Sequence, residues 1–247
     1  QAESSAASDV YKRQAHTLIN NNFDPNYLIA GIPKKLEKSW NISNDEVFVI
    51  EADEYDTCYF DKRPKFFHYR PNILLINNIE FDHADIYENI EMIEKNFFEL
   101  IKTMPSKSKV LINEKKVSKS FRNKLKKEKL KSTLQFLSLN TSNIHEENKL
   151  LAAHAIEDLI SKEKVLNGLK DYIGVKRRFE TIFNNKNFKL IDDFAHHPTA
   201  IEETIKMIRE QTDNLTLIVE LGSNSMKRGV HDKRLVDIFK NQETYTI

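Results

Sequence analysis

Four times along this chain a short apolar run gives way at once to a knot of polar side chains. "FVI" leads into "EADEYD", "ILLI" into "NNIEFDHADIY", "FKLI" into "DDFAHHP", and "LTLIV" into "ELGSNSMKRG". Short apolar runs alternating with helical patterns are the signature of βαβ units, so the expected fold is an α/β sheet. In open sheets of this kind ligands bind in the crevice beyond the carboxyl ends of the strands, which is where these knots fall.

The expected strands are Val47 to Ile50, Ile73 to Ile76, Val110 to Ile112, Phe188 to Ile191 and Leu215 to Val219. Between them Ile86, Ile90, Ile93, Phe97, Leu100, Ile101 and Met104 recur at spacings of three and four, which gives a helix with one apolar face against the sheet. A second helix starts after Pro198, a residue suited to a first helical turn, and turns Ile201, Ile205 and Ile208 inward.

With 247 residues and 40% hydrophobic content the chain can bury a core in one large or two modest domains. Lys+Arg 38 against Asp+Glu 37 gives a net charge of +1, which supplies no global attraction to nucleic acid or an anionic membrane. The basic stretch "KKVSKSFRNKLKKEKLKS", Lys115 to Ser132, has almost no aromatic stacking residues and reads as a solvated helix and loop rather than a nucleic-acid surface. No apolar run approaches the roughly 20 residues of a membrane span, and no secretory segment is visible. One cysteine, Cys58, excludes an internal disulfide framework and reads as a buried packing residue. The expected compartment is the cytoplasm. The opening "QAESSAASDVYKRQ" is small, polar and aperiodic, so residues 1–14 are expected to be foreign to the fold, and the chain is expected to be cut at both ends.

Carboxylates crowded as in Glu51, Asp53, Glu54 and Asp56 repel one another, which points either to a bound cation or to a solvated acidic turn. Adjacent parallel strands would bring Glu51 and His83 to one lip of the sheet, where oxygen and imidazole ligands suit a hard divalent ion; His83 could instead cap a helix near Asp85. In "DDFAHHPTAIEET" a carboxylate could take ribose hydroxyls and the helix N-terminus an anion, or these residues could form only a turn and cap. A zinc site on His196 and His197 lacks the usual ligand spacing. "GVKRRFE" offers adjacent guanidinium groups to phosphate oxygens, or is a solvated basic hinge at Gly174.

Taken together, "EADEYDTCYFDKR", "FFHYRPNILLINNIEFDHADIY", "GVKRRFE", "DDFAHHPTAIEET" and "SNSMKRGVH" resemble the Mur ligases from about Ala15 onward. Within that family "YDT", "FDKR" and "SNSMKRGVH" look like the branch that couples a murein tripeptide to UDP-N-acetylmuramate, rather than the branch that adds L-alanine. The resemblance implies a truncated P-loop-type central ATPase domain over residues 15–175, without its P-loop, followed by a truncated Rossmann-like carboxyl-terminal domain over 176–247. It implies ATP and Mg²⁺ as cofactors, with Glu51 and His83 as metal ligands. Arg178, Asp193 and His196 would meet the nucleotide, and Arg178 and His83 would serve catalysis. Asn148 in "ENKLLAAHAI" would face adenine, although Ile144 stands where a histidine is usual. Ser223, Asn224, Lys227 and Arg228 would meet the tripeptide.

The implied reaction forms an acyl phosphate on the lactyl carboxylate of UDP-N-acetylmuramate, which the tripeptide amine then displaces. Positioning and charge neutralisation dominate such chemistry, and the chain's acids, His and Arg without a candidate nucleophile match it. Without the phosphate cradle the chain is expected to be inactive alone and to bind ATP weakly. Two rivals remain: the L-alanine-adding ligase, and a metal-dependent hydrolase built on Glu51, His83, His196 and His197.

Overall fold

In a computed structural model of the protein the described residues are 9–31, 34, 36, 38–52, 54–81, 86–141, 144–220, 228–240 and 242–246, with 243–246 described by their backbone only. The first element, α1 (Val10–Asn20), begins inside the stretch expected to be foreign. Val10 is 3% exposed and packs with Leu111, Leu137 and Leu151, and Lys12 and Arg13 are buried as well. A structural break therefore does not fall at residue 14.

Two small sheets follow. In the first, β1 (Asn26–Leu28) is flanked by an antiparallel β2 (Trp40–Asn41) and a parallel β3 (Phe48–Ile50). The second is fully parallel, with β6 (Ile73–Ile76), β7 (Lys109–Asn113) and β8 (Thr133–Leu137) in that order. Successive side chains in a strand point to opposite faces. Leu74, Ile76, Val110 and Ile112 accordingly join one core with α2 (Ile90–Thr103) and α3 (Lys119–Lys127). Leu75 and Leu111 face α4 (Ile144–Ile156) on the other side. Both faces are covered, which is why these strands read as unbroken apolar runs. Helix α4 also contributes Ala153 and Ile156 to a core shared with α1, Tyr27, Val49 and α5 (Lys162–Gly168), so it spans both sheets.

The sequence led us to expect β3 and β6 as neighbours, and the structure corrects this. Each pairs only on its far side among the described residues, and between them lies a largely apolar cavity of about 840 Å³ walled by Glu46–Ile50 and Pro71–Asn77. Among the described residues no backbone ladder joins the two sheets across this gap.

Of the crowded acids, Asp56 opens a hairpin. Strands β4 (Asp56–Cys58) and β5 (Asp61–Pro64) pair antiparallel, and the carboxylates find cations within the hairpin and just after it. Asp56 meets Lys62 at 2.6 Å, and Asp61 meets Arg63 at 2.8 Å and His68 at 3.0 Å. The Arg63 hydrogen bonds hold Asp61 well below the usual carboxylate range. Because the hairpin stands away from the core, Tyr59 and Phe60 at its turn are each 90% exposed and Cys58 is only half-buried, not the buried packing residue expected.

Sequence periodicity overextended α2, which begins at Ile90 because the Asn89 side chain accepts the Met92 N–H at 3.0 Å and caps it. The basic stretch is less solvated than expected: in α3, Phe121 and Leu125 are 1% and 0% exposed, and Ser118 caps the helix.

The carboxyl-terminal part contains the antiparallel pair β9 (Glu180–Asn184) and β10 (Lys189–Asp192), and the parallel pair β11 (Thr216–Val219) and β12 (Glu243–Thr246). Helix α6 (Pro198–Arg209) buries Ile201 and Ile205 against Leu235 of α7 (Asp232–Phe239) and the partly buried Leu217. Among the described residues no helix is long and apolar enough to cross a membrane.

Candidate functional site

A cleft of about 340 Å³ separates the carboxyl-terminal part from the rest, and it gathers side chains that lie far apart in sequence. Helix α4 presents His145 and Lys149, the segment after α5 presents Tyr172 and Gly174, and the linker presents Arg178 and Phe179. Across from them stand Asp193, just beyond β10, and Thr204 on α6.

The linker takes its shape from residues in the left-handed region. Gly174 has φ +84°, and Arg177 and Phe179 have φ +58° and +49°, which for side-chain-bearing residues costs backbone strain. That geometry is pinned at several points. The Arg177 N–H donates to Glu180 Oε2 at 2.7 Å, the Phe194 N–H donates to the Arg177 carbonyl at 2.9 Å, and Lys34 pairs with Glu180 at 2.9 Å. The result aims Arg178 inward. Its guanidinium lies 5.0 Å from the centre of the Phe194 ring, and its Nη1 is buried with no hydrogen-bond partner among the described residues.

Asp193 is fixed on both oxygens: the Ala195 N–H donates to Oδ1 at 3.2 Å and the Thr204 hydroxyl to Oδ2 at 2.6 Å. Burial pushes its carboxyl above the ordinary value, while Thr204 and the nearby Arg178 charge pull the other way. On the opposite wall Arg13 pairs with Asp9 at 2.5 Å, and Tyr172 donates to the same carboxylate at 2.5 Å. Burial and Asp9 raise the Tyr172 phenol, so it stays a neutral donor. Burial, then the Arg13 charge, lower His145, which stands 3.5 Å from Arg13 through Nδ1. A neutral imidazole beside an arginine offers hydrogen bonding without a further positive charge. Such a cleft, with the buried Arg178 Nη1 and Arg13 Nε both lacking a hydrogen-bond partner among the described residues and an anchored carboxylate near Arg178, suits a ligand carrying both anionic and hydroxyl groups.

Not every expected site residue reaches it. Asn148 is 0% exposed inside the packed face of α4 and is not on the cleft wall; His145, a turn earlier, is. The i, i+3 spacing on α4 is the signal that would have found His145. His196 turns back on its own loop, its Nδ1 2.8 Å from the Phe194 carbonyl, while His197 points away toward Glu80 at 3.2 Å. The two histidines therefore diverge, and the set expected for a hydrolase does not converge on them. Glu51 follows β3 and its Oε2 accepts the Ala30 N–H at 2.7 Å, which anchors the carboxylate to the segment after β1. Its expected partner His83 lies outside the described residues, as do Asp53, Ser223, Asn224 and Lys227, whereas Arg228 is described and exposed.

Residues 20–163 match the Mur ligase middle domain and residues 177–240 the Mur ligase glutamate ligase domain, so the cleft lies between the two matched segments. The chain is 30% identical over 243 residues to the UDP-N-acetylmuramate–L-alanyl-γ-D-glutamyl-meso-2,6-diaminoheptanedioate ligase of Escherichia coli, covering 84% of this chain and 52% of that protein. It is 32% identical over 255 residues to the enzyme of the same name from Haemophilus influenzae, covering 87% and 54%. A crystal structure of a murein peptide ligase from Psychrobacter arcticus superposes with a TM-score of 0.70 at 24% identity, over 100% of this chain and 61% of that one, and so shares the fold. The chain thus spans about half the length of the curated relatives it matches. A middle-domain match across more than half of the residues, followed in order by the second domain of the same enzymes, establishes that the chain belongs to the Mur ligase family.

Proposed function

We propose that this chain is part of an ATP-dependent ligase that joins UDP-N-acetylmuramate to the tripeptide L-alanyl-γ-D-glutamyl-meso-diaminopimelate through an acyl phosphate. The observation that carries the reading is the buried Arg178 Nη1, without a hydrogen-bond partner among the described residues, near the anchored Asp193 in a cleft between two Mur ligase segments. A guanidinium donor left unsatisfied in the protein alone is costly unless an anion completes it, and a nucleotide phosphate is such an anion. Asp193 offers the acceptor that a ribose hydroxyl needs. The names of the similar curated enzymes support the tripeptide over alanine by identity and coverage together: the tripeptide ligases match at 30% and 32% identity over 84% and 87% of the chain, the L-alanine ligases of Clostridium perfringens and Clostridium kluyveri at 25% over 83% and 31% over 74%.

In this reading Glu51 and His83 would hold Mg²⁺, with which the nucleotide supplies an activated phosphoryl group. Arg178 binds and neutralises phosphate oxygens, Asp193 orients the ribose, and Lys227 or Arg228 takes the carboxylates of the incoming peptide. The fixed Ala30 contact of Glu51 orients its carboxylate before any cation arrives.

The test is an ADP-release assay on the full-length protein with UDP-N-acetylmuramate and either tripeptide or L-alanine. Turnover with tripeptide alone is expected. Turnover with alanine and none with tripeptide would replace the reading by the alanine-adding ligase, and phosphate release without ATP would replace it by a hydrolase.

A further inference from the structure

Beyond the linker and the Lys34–Glu180 pair beside it, a further side-chain contact joins the two parts of the protein among the described residues. Glu80 follows β6 and is tied to the larger part through its neighbour Ile79, which is 6% exposed in the core and donates its N–H to the Lys116 carbonyl at 3.1 Å. Its carboxylate reaches His197 Nδ1 at 3.2 Å. His197 sits at the N-cap position of α6 but makes no side-chain cap bond there; its side chain is 7% exposed and that of Glu80 30%. On its other side His197 packs edge to face against His231, just before α7, at 4.9 Å between ring centres.

We propose that Glu80 and His197 form a latch that fixes the angle between the two parts and so sets the width of the cleft. Gly174, with φ +84° and open space where a side chain would stand, is a pivot within a linker that Lys34 ties down locally through the Gly174 carbonyl and Glu180, so the α6 side of the carboxyl-terminal part can still swing about that tie. A contact far along the chain from that tie removes the remaining swing. His197 begins α6, the helix whose Thr204 holds Asp193 in the cleft, so the latch positions that carboxylate through one rigid element. When the imidazole is protonated, a pair this sheltered from water is screened less than an exposed one, and two contacts on one histidine, one from each part, make the joint specific in direction.

Limited trypsin digestion of the 247-residue chain reads the latch directly, because Lys176 and Arg177 are exposed in the linker. Mass spectrometry would follow cleavage after those two residues, with cleavage after Lys127 at the end of α3 as an internal reference. Glu80→Gln and His197→Gln are each expected to speed linker cleavage about fivefold, with the reference rate unchanged. Exchanging the partners, Glu80→His with His197→Glu, is expected to restore the slow rate. Unchanged linker cleavage in both single variants would overturn the proposal, as would equal acceleration at Lys127, or failure of the exchanged pair to rescue.

Discussion

The Thr204 hydroxyl donates to Asp193 Oδ2 at 2.6 Å, which ties the first residue after β10 to the second turn of α6. The bond holds a carboxylate whose ionised form burial disfavours.

That tension predicts a pH signature. The Asp193 carboxyl is raised above its ordinary 3.8, so the folded protein keeps this proton more tightly than the unfolded chain does. Stability from this group is therefore fullest below the ordinary value and declines as pH rises from there through the raised value. Asp193→Asn removes the titration, and its melting temperature is expected to fall less than that of the wild type as pH rises above the ordinary carboxylate value. Parallel melting curves that keep the same separation throughout would refute this.

Helix α3 separates charge from packing within one basic stretch. Leu125→Ala, at a 0% exposed position, is expected to cost about 2–5 kcal/mol in urea unfolding, and Lys127→Ala, on the solvent side, less than about 0.5 kcal/mol. Similar small effects for both would mean that the segment lies loose on the surface.

At the pivot, Gly174→Ala should cost about 1–2 kcal/mol from its left-handed backbone alone, since the new methyl meets nothing within 4 Å. Calorimetry of the two chains checks it, and an unchanged melting temperature would show that the linker can adopt another conformation.

In the full-length protein Arg178→Ala is expected to raise the KM for ATP about ten- to a hundredfold by removing a charged donor, with Arg178→Lys recovering only part. Steady-state kinetics at varied ATP decides it; an unaltered KM would place the phosphates elsewhere.

Much of this architecture could be read from residues in order. The strands Ile73–Ile76 and Lys109–Asn113 and the helix after Pro198 follow from apolar runs and a proline, signals that are local. Strand β8, Thr133–Leu137, hid behind the lysines that precede it, and the β4–β5 hairpin hid because Asp56 and Asp61 find their cations in Lys62 and Arg63 close in sequence, so their charges read as one acidic run rather than as paired strands. Arg178 and Asp193 were legible from their motifs and meet at the cleft. His145 was not, because its place there depends on which face of α4 packs inward, and the relative position of β3 and β6 was not, because strand order is a property of long-range pairing.

The gap between β3 and β6 also has a mechanical consequence. Side-chain packing beneath it, chiefly through α4, carries any sliding force that a peptide ladder would otherwise resist. Within the larger part, that seam therefore yields in shear more readily than a strand ladder does, and breathing there is expected to part the two half-sheets, with α4 as the beam that bends last.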